Sequence, residues 1–591
     1  MNSRLARRRA WVALLALLFL GGSFGAAAPA AAAEPPLPGE CPQVKPLREV
    51  AIGQRGNGWT VETAKQRERF RFEVLGVIAD GIGAGRDLLV VEVFDTVGND
   101  MIARAGGIWA GMSGSPVYLG GELLGAVAYG FTAGPSRIGG VTPAADMLRL
   151  LELTPTSAAL AGPETVSVPT ALRQSLAQRT GQSAALVSTF ERLPVPVAAS
   201  GLNARARNHL QRSLDRRGLS SIVVPASSAA RSSAVSVSQR PRAGGNFASV
   251  ISYGDVTLAG TGTTTYVCGT RALAFGHPFT WVGRSTYGAN DARALGVVRD
   301  PAFGSFKLAN VGGLFGRLDQ DRLAGIRAAL NATPTLRPIT SRVTDAGSGR
   351  VRRGRTDVTM DVWVPEVAPM HLVANADSII DRIGPGSSHV SWTIIGRRAN
   401  GSPWQLAYAN RYSSQFDITF ESVFQLAEQL AIIQGNEFEA VRFTGVDIRA
   451  TFADAYRQWA VERVRVSRNG GPFRDRTSIN VAPGDRLDLR VFLRPYRGEA
   501  VRVGMSLRVP AGAQPGGGYL LIGSAPDIGG EEATPRTFRQ LLNQLAATPR
   551  NNVLTASLQL FDFEGGTTTR NRNVALNSIV VGFFELEVNV Q

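Results

Sequence analysis

The run Gly-Met-Ser-Gly-Ser-Pro at residues 111–116 is the best candidate for chemistry in this sequence. A serine between glycines in a tight turn can present its hydroxyl free of neighbouring side chains. The backbone N–H groups of Gly111 and Ser113 can point at one place and form an oxyanion hole. The pattern therefore predicts Ser113 as a nucleophile, with Gly111 and Ser113 as oxyanion donors. The alternative is an ordinary glycine-serine turn, and Ser115 is expected to hydrogen-bond within it.

A nucleophilic serine needs a base, and only four histidines are present. His277 follows a predicted apolar strand and a glycine, which places its imidazole at a domain rim where a substrate could reach it. The alternative is a structural role, which is the commoner one for a lone histidine. Of the others, His209 falls in a predicted surface helix, His371 opens a predicted apolar strand, and His389 follows a Gly-Ser-Ser turn. The histidines are dispersed, so no metal site is expected.

Short strands separated by turns surround both candidates. An antiparallel barrel or sandwich is the expected architecture, because apolar runs are short and glycine is abundant (66 residues). The glycines at 81, 83 and 85 precede another predicted strand, not a helix, which excludes a dinucleotide-binding loop. Strands are predicted at 69–77, 87–94, 123–129, 255–267, 271–275 and within 303–326, and helices at 143–152, 202–214, 421–433 and 537–546.

Two segments of the chain resemble the SpoIVB-type (stage IV sporulation protein B) serine peptidase family. One segment, residues 108–131, carries the serine turn and a following Gly-Ala-Val strand. The other, residues 261–326, carries a Gly-Thr-x-Thr strand and an Ala-Phe-Gly-His segment ending at His277. The resemblance implies a trypsin-like double β-barrel and endopeptidase chemistry, with Ser113 and His277 as catalytic residues. Such chemistry requires no metal or organic cofactor.

The chain departs from that family in two respects. The serine block precedes the histidine block here, which is the reverse of the family order, so the two halves look permuted. No PDZ domain is recognisable. The resemblance places the acid of the triad about fifteen residues before the serine, near Asp95 and Asp100. Asp95 directly follows a predicted strand and is the first choice, with an ordinary turn aspartate as the alternative.

The N-terminus predicts export. A basic start, an apolar run and small residues make residues 1–33 a secretory signal peptide, so a secreted or periplasmic protein without a membrane-spanning segment in its mature chain is expected. In an oxidising compartment Cys41 and Cys268 could form a disulfide, and two buried thiols are the alternative. The net charge of +16 comes mostly from scattered arginines without interleaved aromatics, so nucleic acid is not an expected partner. A weak attraction to anionic envelope surfaces fits this charge.

The mature chain is too long for one core. We expect a serine-bearing half at 34–152, a connecting region and linker at 153–248, and a histidine-bearing half at 249–335. A β-rich module at 336–468 and a β-sandwich-like module at 469–591 follow.

Two functions compete. The first is an exported serine endopeptidase acting on protein substrates through an acyl-enzyme. The second is a non-catalytic exported scaffold that keeps a peptidase-like fold, which the large remainder of the chain favours. Self-cleavage within the linker at 220–245 is a third hypothesis.

Overall fold

A computed structural model describes residues 41–131, 134–154, 165–227, 240–301, 304–529, 534–561 and 566–591. The structure is mainly β, with 50% strand and 17% helix. The predicted signal peptide lies outside the described residues, as does part of the predicted linker (228–239).

The first barrel contains six strands. Their order around the ring is β1-β2-β3-β6-β5-β4, and β4 closes it by pairing with both β1 and β5. Alternate residues of β2, among them Phe70 and Phe72, point into the barrel and pack with Val91 and Trp109. The strands are β1 (Arg55–Thr60), β2 (Glu68–Gly83), β3 (Arg86–Phe94), β4 (Pro116–Leu119), β5 (Glu122–Phe131) and β6 (Ile138–Pro143), with helices α1 (Met101–Ala105) and α2 (Ala144–Glu152).

The second barrel also closes with six strands, in the order β11-β12-β13-β17-β16-β15 and back to β11. Three phenylalanines fill it: the ring of Phe247 contacts Phe275 and Phe315 edge-on, with centroids 5.9 and 5.4 Å away. The predicted double-barrel core is therefore confirmed. The strands are β11 (Asn246–Gly254), β12 (Thr257–Cys268), β13 (Arg271–Ala274), β14 (Gly283–Arg284), β15 (Gly288–Val298), β16 (Phe306–Arg322) and β17 (Gly325–Leu330).

The connection between the barrels is more ordered than the expected linker. Its short strands find their partners in the barrels, a long-range pairing that local sequence does not reveal: β8 pairs with β5, and β9 pairs with β12. The elements are β7 (Thr165–Ser167), α3 (Thr170–Thr180), β8 (Thr189–Arg192), β9 (Val195–Ser200), α4 (Ala204–Arg216) and β10 (Ser221–Pro225).

A disulfide joins Cys41 to Cys268, with 4.8 Å between the Cα atoms. Cys268 ends β12 of the second barrel, and the segment after Cys41 is paired with the first barrel, where the Lys45 N–H donates to the Leu123 carbonyl. The bond therefore clamps the N-terminal segment across both barrels.

The block after the second barrel continues its sheet, because β19 pairs with β11. Helices α5 and α7 pack on this sheet. His371, expected to open a strand, lies instead in α5, so that expectation was wrong: the segment is apolar all round, and periodicity cannot separate a buried helix from a buried strand. The elements are β18 (Arg337–Asp345), β19 (Val351–Val358), α5 (Val364–Ile380), β20 (Gly386–Arg397), β21 (Pro403–Ser414), α6 (Ile418–Glu421), α7 (Phe424–Gln434) and β22 (Arg442–Ala453).

The C-terminal region is a sandwich of a four-stranded and a five-stranded sheet that share one apolar core. No helix in the described ranges is long and apolar enough to cross a membrane. The sandwich elements are β23 (Gln458–Arg468), β24 (Ser478–Val481), β25 (Arg486–Pro495), β26 (Val501–Arg508), β27 (Gly516–Ser524), α8 (Ala525–Ile528), α9 (Phe538–Ala547), β28 (Val553–Phe561), β29 (Thr567–Ala575), β30 (Ile579–Val581) and β31 (Phe583–Val590).

Candidate active site

The serine turn lies between α1 and β4 and is hydrogen-bonded to strand β5 of the same barrel. The Gly114 N–H donates to the Val127 carbonyl (2.8 Å), and the Val127 N–H donates to the Ser115 carbonyl (3.0 Å). Within the turn, the Ser115 N–H donates to the Met112 carbonyl at 3.0 Å. Strand β5 therefore fixes the backbone on the C-terminal side of Ser113.

The two serines of the turn have different environments. The Ser115 hydroxyl donates to the Met112 carbonyl at 2.6 Å and lies 2.9 Å from Thr60 Oγ1, which is the role within the turn that the sequence predicts. The Ser113 hydroxyl is fully buried and has no hydrogen-bond partner among the described residues. An unsatisfied buried hydroxyl is costly, which marks Ser113 as the member of the pair available for chemistry.

The predicted oxyanion donors are also unused. None of the hydrogen bonds that hold the turn within the described residues uses the N–H of Gly111 or of Ser113. Unused backbone donors in the turn that carries the serine can stabilise the negative oxygen that forms when its hydroxyl attacks a carbonyl.

Strand β12 of the second barrel binds the carbonyl side of the turn. Thr263 donates its N–H to the Ser113 carbonyl (2.9 Å) and its hydroxyl to the Gly111 carbonyl (3.2 Å). The Thr265 hydroxyl donates to the Gly114 carbonyl at 2.8 Å. With its carbonyls bound by the other barrel, the turn has its position set by the contact between barrels and not by its own sequence alone.

His277 follows β13 and lies at the same interface. Phe275 and Gly276 both have a φ of +70°, which turns the chain sharply after the strand. The Thr142 hydroxyl of the first barrel donates to the Gly276 carbonyl (2.6 Å), and the Phe275 N–H donates to the Thr263 carbonyl (3.3 Å). Thr263 therefore bonds both the serine turn and the histidine segment.

The imidazole of His277 is in the tautomer that a base for serine requires. Its Nδ1 lies 2.7 Å from the Pro278 carbonyl oxygen, and because a carbonyl can only accept, Nδ1 carries the proton. Nε2 is left with its lone pair and is buried without a partner among the described residues. Burial lowers the pKa of His277 to about 4, so the ring is neutral near pH 7.

The structure does not bring Asp95 to His277. The carboxylate of Asp95 accepts the backbone N–H groups of Ile102 (2.8 Å) and Ala103 (3.2 Å) and so caps α1. Asp100, the other candidate, forms an exposed ion pair with Arg104. The Pro278 carbonyl takes the place at Nδ1 that an acid was expected to occupy.

A carboxylate that the sequence reasoning missed holds the segment after His277. Asp321, fully buried on β16, accepts the Phe279 N–H at 2.8 Å and both the N–H (2.8 Å) and the hydroxyl (2.9 Å) of Thr280. Its only sequence signal is an acidic residue inside a strand-forming run. Asp321 is therefore a positioning residue for the histidine segment.

The substitution Asp321→Asn is expected to destabilise the protein by about 1–3 kcal/mol and to slow any reaction at Ser113. The amide offers one acceptor oxygen where the carboxylate offers two, so buried donors lose their partner. Urea unfolding and serine-probe labelling check both effects. Asp319→Asn is the matched control, because Asp319 pairs with Arg327 on the same sheet and does not bind this segment. Equal labelling rates in the two variants would contradict the positioning role.

A buried lysine, also missed, packs against the serine turn. The Lys307 N–H donates to the Ala110 carbonyl (2.9 Å), and Lys307 Cβ is 2.8 Å from where a Cβ on Gly111 would lie. Its Nζ donates to Asn246 Oδ1 at 3.1 Å, and burial lowers the pKa of Lys307 to about 7.

No cluster of three or more metal-ligating side chains occurs among the residues that the structure describes.

A segment of the connection covers the site. Residues 190–192 pair with β5 of the first barrel, and residues 197–200 pair with β12 of the second. The crossing segment, residues 193–197, runs from one barrel to the other and ends at the first residue paired with β12. Pro196 Cγ lies 3.4 Å from the position of a Cβ on Gly111. Ser113 and His277 are 0% and 1% exposed, so neither side chain is accessible to a substrate in this conformation.

The sequence model of the SpoIVB peptidase S55 family matches residues 30–148, which include the serine turn and the first barrel but not His277. None of the curated proteins matches the chain. The part of the chain that forms the first barrel and carries Ser113 is therefore similar to the SpoIVB peptidase S55 family.

Proposed function

We propose that this protein is an exported serine endopeptidase in which Ser113 is the nucleophile and His277 its general base. One observation carries the proposal: Ser113 Oγ and His277 Nε2 are both buried and unpartnered at the interface of the barrels, and Thr263 bonds both of their segments. Two unsatisfied polar atoms in a packed interface are costly for a purely structural role.

In this mechanism Nε2 of His277 takes the hydroxyl proton as Ser113 Oγ attacks a peptide carbonyl carbon. The N–H groups of Gly111 and Ser113 bind the resulting oxyanion. The imidazolium, held by the Pro278 carbonyl, then protonates the leaving amine. Water repeats the cycle on the acyl-enzyme and releases the acid product.

Export is part of the proposal. It is supported by the basic and apolar start of the sequence, and by the disulfide between Cys41 and Cys268, since disulfides persist in oxidising compartments. Protein or peptide chains are the proposed substrates.

A second candidate function is a non-catalytic scaffold. The observation that favours it is the complete burial of Ser113 and His277 under the crossing segment. A peptidase must open this cover to admit a substrate, whereas a scaffold has no need to do so.

Labelling with a fluorophosphonate probe, followed by mass spectrometry of the modified peptide, separates the two functions. We expect the protein lacking residues 1–33 to be modified at Ser113, Ser113→Ala to remain unmodified, and Ser115→Ala to be modified still. Circular dichroism establishes that each variant is folded. A folded wild-type protein that resists the probe, also in dilute urea that loosens the cover, would favour the scaffold.

A further inference from the structure

A small cavity opens beside His277. Its volume is about 130 Å³, and its walls come from the crossing segment, from the end of α4 and from the segment that Asp321 anchors. The residues that line it include Arg192, Arg217, Leu219, His277, Thr280 and Trp281. The cavity adjoins the base, so a group bound in it lies next to the bond that would be cut.

The charged side chains that line the cavity are all cationic. Two arginines line it and no carboxylate does. The Arg217 guanidinium stacks 4.8 Å from the ring of Trp363, with Glu366 at 3.6 Å, so part of its charge is already balanced. The Arg192 guanidinium lies 4.9 Å over the ring of Trp281 and forms no ion pair within the described residues. Arg192 is thus the cation that a ligand could neutralise.

The surroundings of Arg192 suit a planar anionic group such as a carboxylate. Stacking on an indole holds a guanidinium flat while leaving its N–H edge free, and that edge matches the two oxygens of a carboxylate. Apolar walls such as Leu219 lower the local dielectric and strengthen the attraction. The Arg192 charge also disfavours the protonated form of His277, although burial is the larger cause of its lowered pKa. A bound carboxylate would offset this effect.

We propose that this cavity binds a carboxylate of the peptide substrate, with Arg192 as its main partner and Arg217 as a second cation. The inference rests on the proposed peptidase function, which it deepens by naming the substrate class: chains with an acidic group next to the cleaved bond. An aspartate or glutamate side chain and the C-terminal carboxylate share this chemistry.

Three peptides that differ only at one internal residue and at the C-terminus separate these sources. The first has an internal glutamate and an amidated C-terminus, the second has glutamine there with the same amide, and the third has glutamine with a free carboxylate. Anisotropy of the labelled peptides on the full mature Ser113→Ala protein measures binding without turnover. We expect the first or the third to bind about 10-fold or more tightly than the second, and the winner identifies the source.

The variants test Arg192 itself. Arg192→Gln is expected to reduce the preference to nearly 1-fold, and Arg192→Lys to keep part of it. Arg293→Gln, at an exposed arginine of β15 outside the cavity, is the matched control and is expected to keep the full preference. Equal binding of all three peptides, or a preference that survives Arg192→Gln, would overturn the inference.

Probe labelling of Ser113, followed in parallel, keeps the two proposals apart. Labelling of the wild-type protein without any carboxylate preference would reject the cavity assignment and leave the peptidase standing. Absence of labelling would reject the peptidase, and the anisotropy of the Ser113→Ala protein would then decide the carboxylate site by itself.

Discussion

Replacement of His277 by alanine is expected to slow fluorophosphonate labelling of Ser113 by about 10²–10⁴-fold, the range that a positioned general base contributes. The reason is the geometry of one ring: Nδ1 is committed to the Pro278 carbonyl, so Nε2 carries the lone pair of this imidazole and can take the serine proton. Initial labelling rates at pH 7 measure the effect, with the circular dichroism spectrum as the control for folding.

The pH dependence of labelling follows from the same ring. Only neutral imidazole acts as a base, and burial lowers the pKa of His277 to about 4, so the rate should rise with pH through about 4 and be level from about 6 to 8. The folded protein should also lose stability as pH falls from about 6.5 toward 4, because the unfolded chain takes up the proton first. A rate midpoint at 6.5 would contradict the buried environment of the reacting ring.

The substitution Gly114→Ala is expected to destabilise the protein by about 2–5 kcal/mol and to abolish labelling. Gly114 has a φ of +92°, and a Cβ there would lie 2.0 Å from the Thr263 carbonyl oxygen and 2.5 Å from the Phe275 nitrogen. Both atoms are backbone of the second barrel and cannot rotate away. The added methyl group therefore forces the barrels apart at the site.

Gly120→Ala is the matched control for this prediction. Gly120 lies in the turn between β4 and β5 of the same barrel with a φ of +61°, and a Cβ there meets nothing within 4 Å. It should cost only the strain of the left-handed backbone, about 1–2 kcal/mol, and keep labelling. Urea unfolding of both variants measures the difference. Equal losses would show that backbone strain, not contact between the barrels, accounts for the effect.

Local sequence was sufficient for several parts of the site. The Gly-x-Ser-Gly-Ser-Pro run predicts a turn because glycine adopts a positive φ, such as that of Gly114, without steric cost, and Ser115 hydrogen-bonds inside that turn as expected. The short apolar strands around it predicted a β-barrel. The helix expected at 143–152 is observed as Ala144–Glu152.

Other parts depended on residues distant in sequence. Asp95 was the first choice for the acid because it directly follows a predicted strand near the position that the family resemblance implies, yet its carboxylate caps α1. Asp321 was missed because its partners, the N–H groups of Phe279 and Thr280, lie about forty residues away in the chain. His371 was placed in a strand because an apolar run has no decisive period once both faces are buried.

The sequence by itself determined the chemical groups of this protein: a serine in a glycine turn, a histidine after a strand, and a mainly β chain. These follow from local backbone preferences and from the alternation of apolar residues, which neighbouring residues set. Only the tertiary structure decided what those groups can do. The closure of two six-stranded barrels, the bonds of Thr263 to both segments, the orientation of Nε2 and the cover formed by residues 193–197 all depend on contacts between distant strands. Such contacts arise from packing and long-range pairing, which no short stretch of sequence encodes.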